Sequence, residues 1–322
     1  MKNHTHTTRR QFLATAGLLA AGSLSPAFSK PILKTFKKRQ FKLCLNPGII
    51  GVKTTQKELL DMAIAHGYEA IISLPNELMN FTEEELQAFR KKMKQNKISW
   101  GSTNLPVEFR RDEARFKEDL QKLPTAVQAL KRAGATRMNT WVLNGDNALT
   151  YNANMKQHAD RLRECAKILG EHNIRLGLEY VSPKTIMTRF KYPFMRTMAE
   201  ARELISIIGE KNVGLVLDSF HWYCAEDTTE DILSLDKNDI ITCDINDART
   251  DLSRDEQIDG TRELPGATGV IDLKPFLSAL VEIGYDGPIR AEPFNKTLNE
   301  MDNEAALKAT HTAMAKAFAL VE

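Results

Sequence analysis

Four carboxylates occupy equivalent places in the second half of this 322-residue chain. Glu179 closes the run Ile174-Arg175-Leu176-Gly177-Leu178, and Asp218 closes Val213-Gly214-Leu215-Val216-Leu217. Asp244 closes Ile240-Ile241-Thr242-Cys243, and Glu292 closes Ile289-Arg290-Ala291. Short β-branched runs of this kind read as buried strands, and acids at the same end of consecutive parallel strands face one volume. Gathering four negative charges in a partly desolvated pocket is costly unless protons or a cation neutralise them. Mg²⁺ or Mn²⁺ suits oxygen ligands, and a nearby imidazole shifts the preference toward Zn²⁺ or Co²⁺. Taken singly, each acid reads as a solvated loop residue or a helix N-cap. Four in register argue for a site.

Histidine gives a second filter. His4 and His6 lie in the N-terminal leader, and His66, His158, His172 and His311 fall on helices or helix ends. His221, three residues past Asp218, is placed to share the acidic pocket.

The elements that must position these groups repeat along the chain. Strands are expected at Phe41–Asn46, Tyr68–Leu74, Ile98–Thr103, Thr136–Val142, Ile174–Glu179, Val213–Asp218, Ile240–Ile245 and Pro288–Glu292. Helical stretches alternate with them near 55–66, 82–95, 112–133, 153–172, 195–209, 227–235, 272–283 and 300–321. The third is expected to break at Pro124, which removes a hydrogen bond and crowds the preceding turn. Gly67, Gly134 and Gly284 read as helix stops. Eight βα units predict an α/β (β/α)₈ TIM barrel, a fold of roughly 250 residues plus insertions. Residues 246–271, the longest aperiodic segment, would then lie over the active-site face.

At 42% hydrophobic and 27% charged residues, the chain can bury a large core, and no linker divides it. A single barrel domain is expected over residues 30–322. Residues 1–29 read instead as an export signal. Thr8-Arg9-Arg10-Gln11-Phe12-Leu13 precedes an uncharged apolar stretch, and Ala27-Phe28-Ser29 offers small residues for cleavage. The paired arginines point to the twin-arginine route and a periplasmic or otherwise exported protein. Removing Lys2, Arg9 and Arg10 takes three positive charges from the 44 and no acid from the 42, leaving a chain slightly negative. Neither nucleic acid nor an anionic membrane is an expected partner. Cys44, Cys165, Cys224 and Cys243 are widely spaced and read as buried thiols.

Three blocks of this sequence resemble the xylose-isomerase-like TIM barrels, which include sugar phosphate isomerases and epimerases. They are Arg175-Leu176-Gly177-Leu178-Glu179-Tyr180 with Pro183-Lys184-Thr185; Val216-Leu217-Asp218-Ser219-Phe220-His221-Trp222; and Leu264-Pro265-Gly266 through Gly269-Val270-Ile271-Asp272 to Glu292-Pro293-Phe294. The resemblance covers roughly residues 41–320. It implies one divalent metal held by Glu179, Asp218 and Glu292, with Asp244 standing where the family usually carries a histidine ligand. An aspartate there leaves a harder, more anionic set, or a weakened site. The resemblance also implies proton transfer by Glu179 and Glu292 through a metal-stabilised enediolate of a keto-sugar. His221, Lys184 and Arg262 would bind substrate oxygens, and Trp141 and Trp222 would offer apolar faces to a sugar ring.

Two other readings use the same constellation. A lyase or hydratase acting on oxidised, 3-keto glycosides would begin with the same enolate, and a non-catalytic sugar-binding barrel would need only the pocket. Apurinic-site endonucleases of similar fold require further histidines, which Ile72-Ser73-Leu74-Pro75, Ser102-Thr103-Asn104 and Asp259-Gly260-Thr261 do not supply. Oligomerisation is left open.

Overall fold

The computed structural model describes residues 37–322; the expected export signal lies outside the described residues. Eleven strands form among them: β1 (Lys42–Leu45), β2 (Ala70–Ile71), β3 (Ser99–Trp100), β4 (Thr103–Asn104), β5 (Arg137–Val142), β6 (Gly145–Asp146), β7 (Arg175–Tyr180), β8 (Tyr192–Pro193), β9 (Val213–Asp218), β10 (Ile240–Ile245) and β11 (Pro288–Ala291). Nine of them run in the order β3-β2-β1-β11-β10-β9-β7-β5-β4, every pairing parallel. β3 and β4 stand at opposite ends of that order, yet only Gly101 and Ser102 separate them in the chain. The sheet therefore closes on itself through one interrupted strand, which makes it the expected eight-position barrel. Gly101 is needed at the interruption, because a β-carbon there would sit 2.5 Å from Cys44 Sγ.

Strands β9 and β10 are buried at every position. Parallel strands covered on both faces need continuous apolar runs, and these two break that rule mainly at their acids, Asp218 and Asp244. Helices cover the ring from outside, and several begin with reciprocal caps. Thr55, Thr82 and Thr197 each accept from an amide three residues on, while Glu58, Glu85 and Glu200 reach back to the cap amide. Gly67 and Gly134 end their helices at φ of 77°, as the left-handed cap requires.

One expectation is corrected. The helix Glu113–Ala133 runs unbroken through Pro124. Phe116, Leu123, Val127 and Leu130 are fully buried on its inner face, while Pro124 points outward. Water can serve the carbonyl the proline leaves unpaired, and burial of four large side chains outweighs a proline cost of about 3 kcal/mol.

All four cysteines are buried free thiols. Burial pushes those of Cys44, Cys165 and Cys224 up to about 12. No helix of the described residues is long and apolar enough to cross a membrane.

Candidate active site

Register brings the acids together. Asp218 on β9 pairs with Asp244 on β10, and Asp244 pairs with Arg290 on β11. Glu179 on β7 is level with Trp141 on β5. Glu292 follows β11 directly, its amide donating to the Ile245 carbonyl at 3.3 Å. One oxygen from each of Glu179, Asp244 and Glu292 lies within 4.8 Å of the others, and Glu179, Asp218 and His221 form a second such group.

Asp218 is fully buried and engaged on both oxygens. Oδ1 accepts from the Phe220 amide at 2.6 Å and from Asn246 Nδ2 at 3.1 Å, and Oδ2 accepts from Arg262 Nη1 at 2.7 Å. The same aspartate caps the short helix Ser219–Ala225, an element absent from the sequence expectation, which carries His221 back toward the cluster. The Ser182 amide donates to His221 Nδ1 at 3.2 Å. Arg262 Nη2 lies 3.2 Å from Nε2, with Asp259 Oδ1 at 3.6 Å and Glu179 Oε1 at 3.9 Å, so donors face both ring nitrogens.

Arg262 is the cation at the centre. Its Nη1 also reaches Glu292 Oε2 at 3.3 Å, and its Nη2 donates to Asp259 Oδ1 at 2.7 Å. Its guanidinium lies between the rings of Phe220 and Phe294, at 4.5 and 4.7 Å from their centroids. Phe294 adopts φ of 39°, a left-handed conformation costing a side-chain-bearing residue about 1–3 kcal/mol. Strain of that size is held where it sets the ring against Arg262.

Asp244 has a partner that sequence reasoning missed. Arg290 Nε donates to its Oδ1 at 2.7 Å, Nη2 engages its Oδ2, and Nη1 continues to Asn139 Oδ1 at 3.2 Å. The signal was present: Arg290 and Glu292 are two apart on one strand and share a face. An arginine facing a barrel lumen needs a buried carboxylate. Asp244 is thus fixed by its neighbour while keeping lone pairs toward Glu179 and Glu292.

The protonation states divide accordingly. Burial opposes ionisation of Asp218, but the Arg262 charge, His221 and the Phe220 amide outweigh it and hold its carboxyl below the ordinary value. Burial, reinforced by neighbouring carboxylates, pushes Glu179 and Glu292 well above theirs. Burial likewise raises Asp244, against the pull of Arg290. Glu179 Oε1 is buried without a hydrogen-bond partner. With Asp259 the cluster holds five carboxyls against two guanidinium groups, and this donor set fits a divalent cation bound through oxygen.

The remaining expected site residues separate. Trp141 stands at the mouth, 44% exposed, with Arg110 stacked 3.8 Å from its ring centroid. Lys184 Nζ pairs with Asp255 Oδ2 at 2.7 Å, and Thr185 Oγ1 donates to the Gln257 carbonyl at 2.8 Å, so the segment after β7 fastens the long loop. Trp222 does not join the cluster: its ring packs on Phe276 of the outer helix, 5.4 Å between centroids, and its Nε1 is taken by the Thr228 carbonyl. The helical turn that aims His221 inward turns its neighbour outward.

The loop that delivers Asp259 and Arg262 is tied down by Asp247, buried and unforeseen. Its Oδ1 accepts from the amides of Ala248 and Ile271, both at 2.9 Å, and its Oδ2 from those of Thr268 at 2.9 Å and Gly269 at 2.7 Å. Asp247→Asn turns one acceptor into a donor facing these amides. We expect a loss of about 1–3 kcal/mol in stability and faster amide exchange at Thr268 and Gly269, read by denaturation and hydrogen exchange. Exchange unchanged there would show that the loop is held elsewhere.

Residues 60–317 match the model of the family described as xylose isomerase-like TIM barrel. The chain belongs to that family. A family relative, the inosose isomerase of Bacillus velezensis, is 26% identical over 274 residues, covering 83% of this chain and 93% of its own length. A xylose isomerase domain protein from Alicyclobacillus acidocaldarius superposes with a TM-score of 0.75 at 28% identity, over 87% of this chain and 99% of that one. The IolI protein, solved with a bound zinc atom, superposes with a TM-score of 0.72 at 25% identity, over 88% of this chain and 99% of that one.

Proposed function

We propose that this protein is a carbohydrate isomerase or epimerase that uses one divalent cation to rearrange a polyhydroxy ketone. The observation that carries the reading is the convergence of Glu179 and Glu292, two carboxyls that desolvation and neighbouring acids raise well above the ordinary value, at the C-terminal mouth of the barrel. A carboxyl so placed is a better base and acid near neutrality than one exposed to water. The inosose isomerases among its relatives favour the same class of chemistry.

Glu179, Asp244 and Glu292, with oxygens within 4.8 Å of one another, would hold the cation, and Asp218 and His221 form a second such group with Glu179 beside it. When bound, it would polarise a substrate carbonyl and make the adjacent C–H acidic. Glu179 would take the proton from that carbon, and Glu292 would supply one to the opposite face or to the neighbouring carbon. His221, set by the Ser182 amide on Nδ1 and by Arg262 Nη2 beside Nε2, would line the pocket next to Glu179 as a substrate contact. Arg262 keeps Asp218 ionised throughout.

The test is solvent deuterium incorporation into inosose and fructose, followed by NMR with Mn²⁺, Mg²⁺, Co²⁺ or Zn²⁺ and with a chelator. Deuterium is expected at the carbon beside the carbonyl, lost on chelation and restored by at least one of the metals. Absence of exchange in both ketones with every metal would sink the reading.

A further inference from the structure

We propose that Asp259 makes this site selective for an uncharged polyhydroxy ketone and against its phosphorylated derivatives. The inference rests on the function proposed above for the existence of the substrate, and adds what the outer end of that substrate must carry.

Asp259 comes from the aperiodic loop between β10 and the helix Leu273–Glu282. Its side chain is 27% exposed, against 11% for Glu179 and 14% for Glu292, and Asp218 and Asp244 are shut away. Of the five carboxyls it is the most exposed. Its Oδ1 is committed inward, accepting from Arg262 Nη2 at 2.7 Å and standing 3.6 Å from His221 Nε2. Arg262 Nε also donates to the Asp259 main-chain carbonyl at 2.9 Å, which holds the whole residue in place. Oδ2 makes no hydrogen bond among the described residues and keeps its lone pairs free for a hydroxyl donor.

The guanidinium groups inside the cluster are already engaged by carboxylates. Arg262 is shared among Asp218, Asp259 and Glu292, and Arg290 is clamped on Asp244. At the rim, Lys184 is paired with Asp255, and Arg110 with Glu108, Thr140 and the Trp141 carbonyl. Once a divalent cation draws all five carboxyls into their ionised form, two guanidinium groups and the cation still leave the cluster one negative charge in excess. A hydroxyl at Asp259 gains a charge-assisted hydrogen bond, whereas a phosphate there meets like charge in a poorly screened pocket.

Asp259→Asn tests this, because it keeps the shape and the acceptor for Arg262 while removing the charge. Binding of myo-inositol and its monophosphate, and of fructose and fructose 6-phosphate, is measured by calorimetry on the full chain and on the variant. The wild type is expected to favour the uncharged member of each pair by about tenfold or more, and the variant to narrow that ratio by about threefold or more. Simple loosening of the loop would weaken both members alike and leave the ratio where it was. Wild-type binding of the phosphate esters as tight as the parent polyols, an unchanged ratio in the variant, or no binding of either polyol would each overturn the proposal. A wild type that discriminates yet exchanges no proton would overturn the isomerase reading and leave this selectivity standing.

Discussion

Replacing Glu179 by glutamine is expected to lower turnover by about 10²–10⁴-fold while leaving the fold intact. Its Oε1 has no hydrogen-bond partner to lose, and its charge is resisted by burial and by Glu292, Asp218 and Asp244. A neutral amide of the same shape removes the base and relieves that repulsion together. The sign of the stability change follows. With the folded carboxyl raised above the ordinary 4.5, the wild type loses stability as pH climbs through the interval between the unfolded and folded values. Glu179→Gln lacks this loss, so its advantage is nil in acid and grows toward neutrality. Glu292→Gln should behave alike in turnover. Steady-state rates paired with denaturation at pH 4 and 7 check the prediction, and a loss under tenfold would remove Glu179 from the chemistry.

A comparably large effect is expected from Arg290→Met. The arginine and Asp244 are both buried and joined through both carboxylate oxygens. Removing one partner of such a pair strands the other, at a cost of about 3–5 kcal/mol. Adding Asp244→Asn should recover most of that loss, because two neutral polar groups can be accommodated where a lone charge cannot. Urea denaturation of the single and double variants measures the coupling. If the single variant lost under ~1 kcal/mol, Asp244 would have another counter-charge and its attachment to Arg290 would be incidental.

The barrel was legible because its later strands are long, apolar and terminated by acids. The run Val213–Asp218 and the run Ile240–Ile245 appear with the bounds expected. The second strand shrinks to Ala70–Ile71, and the third splits around Gly101. There the curvature of the ring, set by its neighbours, overrides the local pattern. Pro124 misled for a similar reason: its cost is local, while the burial that repays it comes from distant residues. At the site, strand-end position located Glu179, Asp218, Asp244 and Glu292, because period-two alternation fixes which way a side chain points. It said nothing of Asp247 and Asp259, which sit in aperiodic chain and whose partners depend on how the loop folds back. Trp222 illustrates the limit on helical turns, where adjacent residues diverge by about 100°.

The sequestered thiols leave the barrel without a cysteine that the solvent readily reaches. Oxidants, metals and disulfide exchange act on thiolates, and Cys44, Cys165, Cys224 and Cys243 are both hidden and disinclined to ionise. No disulfide has to be made for the barrel to stand, so thiol chemistry gives an oxidising milieu little hold on it.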